Sequence, residues 1–454
     1  MDPTIEHLAR YAVDSAFSNL PLAAVHECKR RVIDSVACAT AAFDEPLCRT
    51  LRELSRHYAG TPAARLWGTG IATSVEMAGF VNGVMVRYLD CSDTWMGRGA
   101  GHPSDMIPAL VALAEGEQCS GTDLINAIVV AYEVSCGLCE AAFEHRVPDQ
   151  ATAAAVGTAA GAARLLQLDI TATGNALSLA LAPNLHLYNV RCGTLSDWKG
   201  CADPNGARNG LFAATLARRG VSGPTAPIEG KGGLADLIGT FDWRAGHGRQ
   251  PLLVDTHLKL HPVCYHGQTA VDAAIALHGR LGPAGPTGIA AVHIETHDAA
   301  WQVMGADPGR WPPTTRETAD HSLPFTVAVA LCEGRLRSAA YDPERLGDTV
   351  TRALMAKIRV DATADMTRRY PVATPVRITV TTNDGRVLAE ELDTPVGHAA
   401  NPVSDAGLEE KFNALCGDRN DAAAWRQALD RLWSLEHCAS VKQLVDALCP
   451  VRRD

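Results

Sequence analysis

Along the first 255 residues, apolar positions recur mostly at helical spacing. Residues 4–17, 21–42 and 47–59 read as helices. In the second, Val25, Cys28, Val32, Val36 and Ala39 share a face, and Pro21 stands where a first turn tolerates it. Leu66–Gly70 reads as a short extended piece and turn. Ser74 can cap a helix whose apolar run extends from Met77 to Leu89. Met106–Glu115, Gly121–Phe143, Ala151–Leu166 and Thr171–Leu181 continue the helical series. Ala153, Ala154, Gly157, Ala160 and Gly161 lie on neighbouring faces of one of these, so a partner helix can approach closely. Glycine costs about 1 kcal/mol against alanine in a helix, and the packing must offset that. Pro204 and Asn205 suit the start of a further helix that reaches about Arg219.

From about residue 256 the period changes. His257–Leu260 alternates as a short strand, and a helix follows from about Gln268 to Leu281. Residues 288–296 end in strand-like alternation. Pro375–Thr382 places Val376, Ile378 and Val380 on one face, with Arg377, Thr379 and Thr381 on the other. Asn383-Asp384-Gly385 is a hairpin turn signal and Val387–Leu392 the returning strand. Helices near 319–332 and 350–357 lie between these strands. Pro395–Pro402 reads as a return crossing, after which helices at 404–415, 421–434 and 440–449 rejoin the helical part. The pattern predicts a mainly α protein. Its large helical domain is built from residues 1–255 and 395–454, and an α+β lid domain is inserted at 256–394.

Composition narrows this. The chain is 47% hydrophobic but only 5% aromatic, so Ala, Leu and Val must build the core, which favours closely packed helices. A net charge of −10 argues against general nucleic-acid binding, while local basic groups can still hold an anionic substrate. No run of 18 apolar residues occurs, and Met1-Asp2-Pro3-Thr4 lacks the charged and apolar regions of a signal peptide; a cytosolic protein is expected. Of the 14 cysteines, Cys136 and Cys139 form the only Cys-x-x-Cys pair, inside a helical run. No zinc or iron–sulfur spacing follows, so the thiols read as small buried hydrophobes.

Between the runs 77–89 and 106–114 lies Asp90-Cys-Ser-Asp93-Thr94-Trp-Met-Gly-Arg-Gly-Ala-Gly-His102-Pro-Ser-Asp105. Gly97, Gly99 and Gly101 allow the loop to approach a ligand, and Pro103 restricts His102 to extended backbone. The plainer alternative is a glycine-rich turn between two helices, with His102 capping the second. Lys199 sits beside Trp198 just before the helix expected at Pro204, where an anion would gain from both the lysine and the helix dipole. Glu229–Leu234 is a glycine turn without the Gly-Lys-Ser/Thr ending of a phosphate loop. His257, Lys259, His261, Tyr265 and His266 crowd ten positions of a chain with 16 histidines, and the spacing fits no common zinc site.

These stretches resemble the MmgE/PrpD family, which includes 2-methylcitrate dehydratase and cis-aconitate decarboxylase. The likeness is carried by Leu89–Trp95, Gly101–Asp105, Trp198-Lys199, Gly230–Leu234, Tyr265-His266-Gly-Gln268-Thr-Ala-Val, Asp320-His321-Ser322-Leu323-Pro324 and Asn401–Phe412. It covers nearly the whole chain. The resemblance implies a homodimer, a cleft between helical domain and lid, and cofactor-free chemistry on small di- or tricarboxylates. By position it places the family's acid and hydroxyl on Asp90 and Thr94, its loop histidine on His102 and its lysines on Lys199 and Lys259. The decarboxylase branch also has a histidine near Gln150 or Ala151, and the stretch Val147-Pro-Asp-Gln-Ala-Thr-Ala has none. Tyr265-His266-Gly-Gln268 looks more like the dehydratase branch.

Dehydrating a 3-hydroxy acid requires a base for the proton beside a carboxylate, an acid for the departing hydroxide, and cations for the developing charge. The expected catalytic set is His102 for the proton, Asp90 to orient it, Lys199, and Tyr265 or His266 as the acid. Thr94, Asp93, Lys259 and Gln268 are expected to bind substrate. No metal or other cofactor is expected. Decarboxylation or epimerisation within the same family stays open. So do two readings from other classes: a hydrolase metal site of Asp90, Asp93, His102 and Asp105, and a non-catalytic carboxylate binder.

Overall fold

The computed structural model describes residues 1–142, 148–243, 245–246, 250–417 and 422–449. Val147, in the stretch compared with the decarboxylase branch, lies outside them, as do the ends of the helices expected at 121–143 and 421–434. The protein is mainly α, with twenty α-helices among the described residues.

Two cores organise the chain. The larger gathers residues from Ile5 to Leu258 and again from Val403 to Leu448. The smaller runs from Val263 to Val380. The first crossing between them falls at Leu260–Val263. There Thr94 and His257 exchange both backbone hydrogen bonds, at 2.9 and 2.8 Å, and tie the central loop to the start of the inserted unit. The return crossing runs beside it: the Leu258 N–H donates to the Gly397 carbonyl, and the His257 and His398 rings stack at 4.2 Å. Gly397 has φ +98°, and a Cβ there would lie 2.1 Å from the Leu258 carbonyl oxygen. Only glycine lets the two crossings lie this close.

The inserted unit holds a four-stranded sheet in the order Ile358–Ala362, Ile289–Thr296, Val376–Thr382, Val387–Leu392. The hairpin at Asn383-Asp384-Gly385 joins the last two strands antiparallel, with Gly385 at φ +84°. The edge strand Ile358–Ala362, which pairs parallel to Ile289–Thr296, was not anticipated. At five residues with only Ile358 and Val360 buried, it offers little alternation to read.

In the helical part, Ala151–Leu165 lies between Gly121–Ala142 and Trp198–Arg218, and the small residues explain how. A Cβ on Gly157 would lie 2.7 Å from the Ala131 carbonyl oxygen, and one on Gly206 would lie 2.2 Å from that of Ala151. Gly121–Ala142 is long and apolar enough to cross a membrane, but 89% of its apolar window is buried among these neighbours. The close approach gives a prediction. Gly206→Ala gains about 1 kcal/mol of helix propensity, yet its methyl meets backbone, which cannot swing aside. Overpacking costs about 1–3 kcal/mol, so a net loss of stability is expected in chemical denaturation, with the midpoint shifted down.

Two helix starts differ from the sequence reading. The helix expected from Pro204 begins at Trp198, so Lys199 lies in its first turn and Pro204 inside it. Pro204 is tolerated because its ring packs on Gly83 of the helix Val75–Arg87, where a Cβ would come within 2.9 Å. The helix expected from about Gln268 begins at Tyr265. Gln268 is buried and instead braces the preceding turn, donating to the His261 and Val263 carbonyls at 2.8 and 3.0 Å.

Candidate active site

The helix Val75–Arg87 ends just before Asp90, which turns the chain with φ +51°. An Asp tolerates this left-handed geometry better than most residues. Its carboxylate is buried and meets a fan of cations. Arg87 Nη1 donates to it at 2.8 Å, Lys259 Nζ donates to the same oxygen, and Lys199 Nζ lies 4.0 Å from the other. Burial alone would raise the Asp90 pKa, but Arg87, Lys259, Lys199 and His321 outweigh it and hold the pKa well below 3.8. Lys199 also bonds both carboxylate oxygens of Asp320, at 2.7 and 2.5 Å. Asp320 in turn holds His321 Nδ1 at 2.5 Å. The inserted unit thus supplies Asp320 and His321, and the segment leading into it Lys259, to a cluster whose centre, Asp90, belongs to the helical part.

The central loop beyond Asp90 folds into a tight ribbon, Trp95–Met96 pairing with Ala100–Gly101, before a short helical turn at Pro103–Met106. Asp93 faces the core, not the ligand side expected for it. It accepts from the Ser104 N–H at 3.0 Å and the Tyr132 hydroxyl at 2.9 Å. Its backbone carbonyl meets His102 Nδ1 at 2.9 Å. A carbonyl can only accept, so Nδ1 carries the proton and Nε2 keeps its lone pair. Desolvation, then Arg87 and Lys259, hold the His102 pKa well below 6.5. At neutral pH the ring is an uncharged base. Thr94 spends its hydroxyl proton on the Gly101 carbonyl at 3.0 Å, which leaves its oxygen as an acceptor.

A cavity of about 210 Å³ opens over this cluster. Its walls include Arg87, Asp90, Thr94, His102, Tyr265 and His266, together with Gln150, Arg191, Cys264 and His321. Lys199, Lys259, Asp93 and Gln268 are buried and are not among the lining residues. Both lysines act on the carboxylates behind the wall. Tyr265 has a buried hydroxyl with no hydrogen-bond partner, and burial, with Asp272 and Tyr370, pushes its pKa well above 10. It stays protonated, so it is available as a donor. His266 sits nearby, with its ring 5.8 Å from that of Tyr370.

His321 was quoted in the sequence only as part of a motif, and no role was expected for it. Burial and Lys199 oppose its charge, but Cys264 and Asp320 prevail, and its pKa lies above 6.5. Of the three histidines lining the cavity, His102 is thus shifted toward its neutral form and His321 toward its protonated form. Arg191 was also unforeseen: it bonds Asp149 and Asp203 at 3.0–3.1 Å while facing the cavity. A signal for Arg87 was present, since it stands three residues before Asp90 at the end of a helix. Two helices, Tyr265–His278 and Ala151–Leu165, begin at the cavity wall, and their N-terminal partial charges favour bound anions.

Asp90, Asp320 and His321 could in principle grip a metal ion, since their ligand atoms lie within 4.8 Å of one another. The charge balance opposes it. Arg87, Lys199 and Lys259 already neutralise these carboxylates, and an added cation would face all three. The four-residue metal set considered from the sequence is not assembled either, because Asp93 is held by Ser104 and Tyr132. Burial and the neighbouring Asp203 push the Asp105 pKa well above 3.8, which disfavours the charged form a metal ligand needs.

Comparison with known proteins places this geometry. Residues 6–244 match the MmgE/PrpD N-terminal domain and residues 261–435 the MmgE/PrpD C-terminal domain. The chain belongs to the MmgE/PrpD family. It is 29% identical over 424 residues to a 2-methylcitrate dehydratase of Cupriavidus necator, covering 87% of this chain and 84% of that protein. To the 2-methylcitrate dehydratase of Escherichia coli K12 it is 28% identical over 422 residues, covering 87% and 85%. A cis-aconitate decarboxylase of Mus musculus is 25% identical over 448 residues, covering 93% and 89%. The relatives are thus enzymes of the dehydratase and decarboxylase kinds. The C-terminal family domain runs through the inserted unit and on into the returning helices, so the division by family and the division by core do not coincide.

Proposed function

We propose that this MmgE/PrpD protein is a hydro-lyase that removes water from, or adds it to, a small hydroxy tricarboxylate of the 2-methylcitrate kind. The observation that carries the reading is that two histidines lining the cavity are shifted in opposite directions. His102 is neutral with its tautomer fixed by the Asp93 carbonyl, and His321 is protonated on Asp320.

Elimination needs both groups at once. His102 Nε2 takes the proton from the carbon beside a carboxylate, and His321 delivers a proton to the departing hydroxide. Tyr265 donates a hydrogen bond to the same hydroxyl. The carboxylates that remain are drawn to the helix starts at Ala151 and Tyr265 and to Arg191. Asp90, with Lys199 and Lys259 behind it, fixes Arg87 and His321 in place. Each positioned acid or base is worth roughly two to four decades in rate. The reading includes a homodimer working without a cofactor, as the family resemblance implies, and a cytosolic setting, as expected from the sequence.

Decarboxylation is the competing reading within the family, because relatives of both kinds align over most of the chain. The dehydratase reading is favoured by Tyr265-His266-Gly-Gln268 and by the lack of a histidine in the sequence at 147–152. Product analysis by proton NMR with 2-methylcitrate, citrate and cis-aconitate separates them. The expected outcome is interconversion of hydroxy acid and unsaturated acid. Itaconate and CO₂ as the main products would overturn the assignment.

A further inference from the structure

Cys264 stands out among the groups that the elimination does not use. It is the N-cap of the fourteen-residue helix Tyr265–His278, so its sulfur sits at the positive end of the helix. It lines the substrate cavity and is the only cysteine to do so among the described residues. Its backbone N–H donates to the Asp320 carbonyl at 3.0 Å, and the charge of His321 acts on its thiol. Beside it Tyr265 lines the same cavity, and its buried hydroxyl has no hydrogen-bond partner. Cys264 and His321 therefore stand together on the wall of a cavity shaped for anions, with Asp320 holding His321 from behind.

We propose that Cys264 is a reactive thiol of the substrate cavity, open to covalent addition by small anionic electrophiles, α,β-unsaturated carboxylates among them. The anionic class follows from the cavity itself, with its two helix starts, Arg191 and His321. That the enzyme's own unsaturated product belongs to this class rests on the proposed elimination.

The addition balances without any co-reactant. The sulfur forms a bond to the β-carbon, and the π pair moves to the α-carbon. The proton that leaves the thiol, passed through His321, ends on that α-carbon. Nothing is oxidised or reduced. Burial works against a thiolate here, yet His321 outweighs it and draws the Cys264 pKa below the ordinary 9.0. Burial raises Cys48, Cys136, Cys139 and Cys201, none of which lines the cavity; Cys91 is drawn down to about 6 but is buried and does not line it either. A low thiol pKa in an accessible, electropositive setting is what makes a cysteine reactive.

The test uses the whole protein and peptide mapping by mass spectrometry, with the exposed Cys192 as internal reference. Iodoacetate and its neutral counterpart iodoacetamide are compared at pH 7, and maleate serves as the unsaturated acid. Relative to Cys192, Cys264 should prefer iodoacetate over iodoacetamide by roughly tenfold or more, and should carry the maleate adduct. His321→Asn should slow labelling of Cys264 roughly tenfold and leave Cys192 unchanged. Should that variant not fold, the wild-type pH profile replaces it. Labelling of Cys264 should then level off below pH 9, and a rise that continues through 9 would overturn the proposal. Cys264 left unlabelled while Cys192 reacts overturns it too, whatever the enzyme does to hydroxy acids. A labelled Cys264 in a protein that dehydrates nothing would refute the elimination and leave the thiol's reactivity standing.

Discussion

His102→Asn is expected to lower kcat roughly 10²- to 10⁴-fold while KM stays within a few-fold. Asparagine can still donate a hydrogen bond to the Asp93 carbonyl through its amide, so the loop keeps its anchor and only the basic nitrogen is lost. That split separates a proton-transfer residue from one that merely shapes the loop, which would move KM or stability instead. The pH profile adds a second reading of the same residue. The base form of His102 persists on acidification past 6.5, because its pKa is held below that value. His321 stays protonated on the alkaline side of 6.5. The kcat/KM profile of the wild type should therefore be a plateau spanning 6.5, falling below it as His102 protonates and above it as His321 is neutralised. A fully active His102→Asn enzyme would remove the proposed base.

Asp90→Asn is expected to have the largest effect on stability. Asparagine accepts the left-handed backbone at φ +51° about as well as aspartate, so the change isolates the charge. It leaves Arg87 and Lys259 buried beside a neutral amide, with Lys199 held only by Asp320. Removing one partner of a buried ion pair costs about 3–5 kcal/mol, because the uncompensated charge remains. Activity should fall as well, since Arg87 and His321 lose the group that positions them.

The sign of the pH dependence follows from the depressed pKa of Asp90. Its contribution is present at every pH above about 3.8 and is lost as the pH falls through the lower folded-state value. The stability gap between wild type and variant, measured by denaturant unfolding, should be full at neutral pH and shrink only in strong acid. An Asp90→Asn protein as stable as the wild type at pH 7 would show that the cations are satisfied elsewhere.

Much of this molecule was legible in its sequence, for local reasons. Helical spacing and caps such as Ser74 depend on neighbours a few residues away, so most helices of the first 250 residues were found, although the one expected from Pro204 begins six positions earlier and the short Leu234–Ile238 was not foreseen. The turn at Asn383-Asp384-Gly385 needs a positive φ at Gly385, and that requirement is written in the residue itself. His102 could be singled out because glycines precede it and a proline follows it.

The rest depended on which distant groups meet. Lys199 and Lys259 looked like substrate clamps because an unpaired lysine in a polar loop has no partner in view. In the fold, Asp90 and Asp320 reach them across long stretches of chain, and a buried ammonium beside a carboxylate pairs with it before any ligand arrives. Asp93 reads the same as Asp90 in the sequence, but only the turn at Asp90 decides that one carboxylate joins the cation cluster at the cavity and the other faces Tyr132. His321 was hidden for the converse reason. Asp320 stands next to it in the chain, but a neighbouring acid alone does not mark a charged imidazole, and the raised pKa depends also on Cys264, which only the fold brings to it. Sequence determined the elements and the residue types that do the chemistry. Tertiary structure decided their charge states and which of them face the ligand, because desolvation and charge pairing act through space and leave no local pattern.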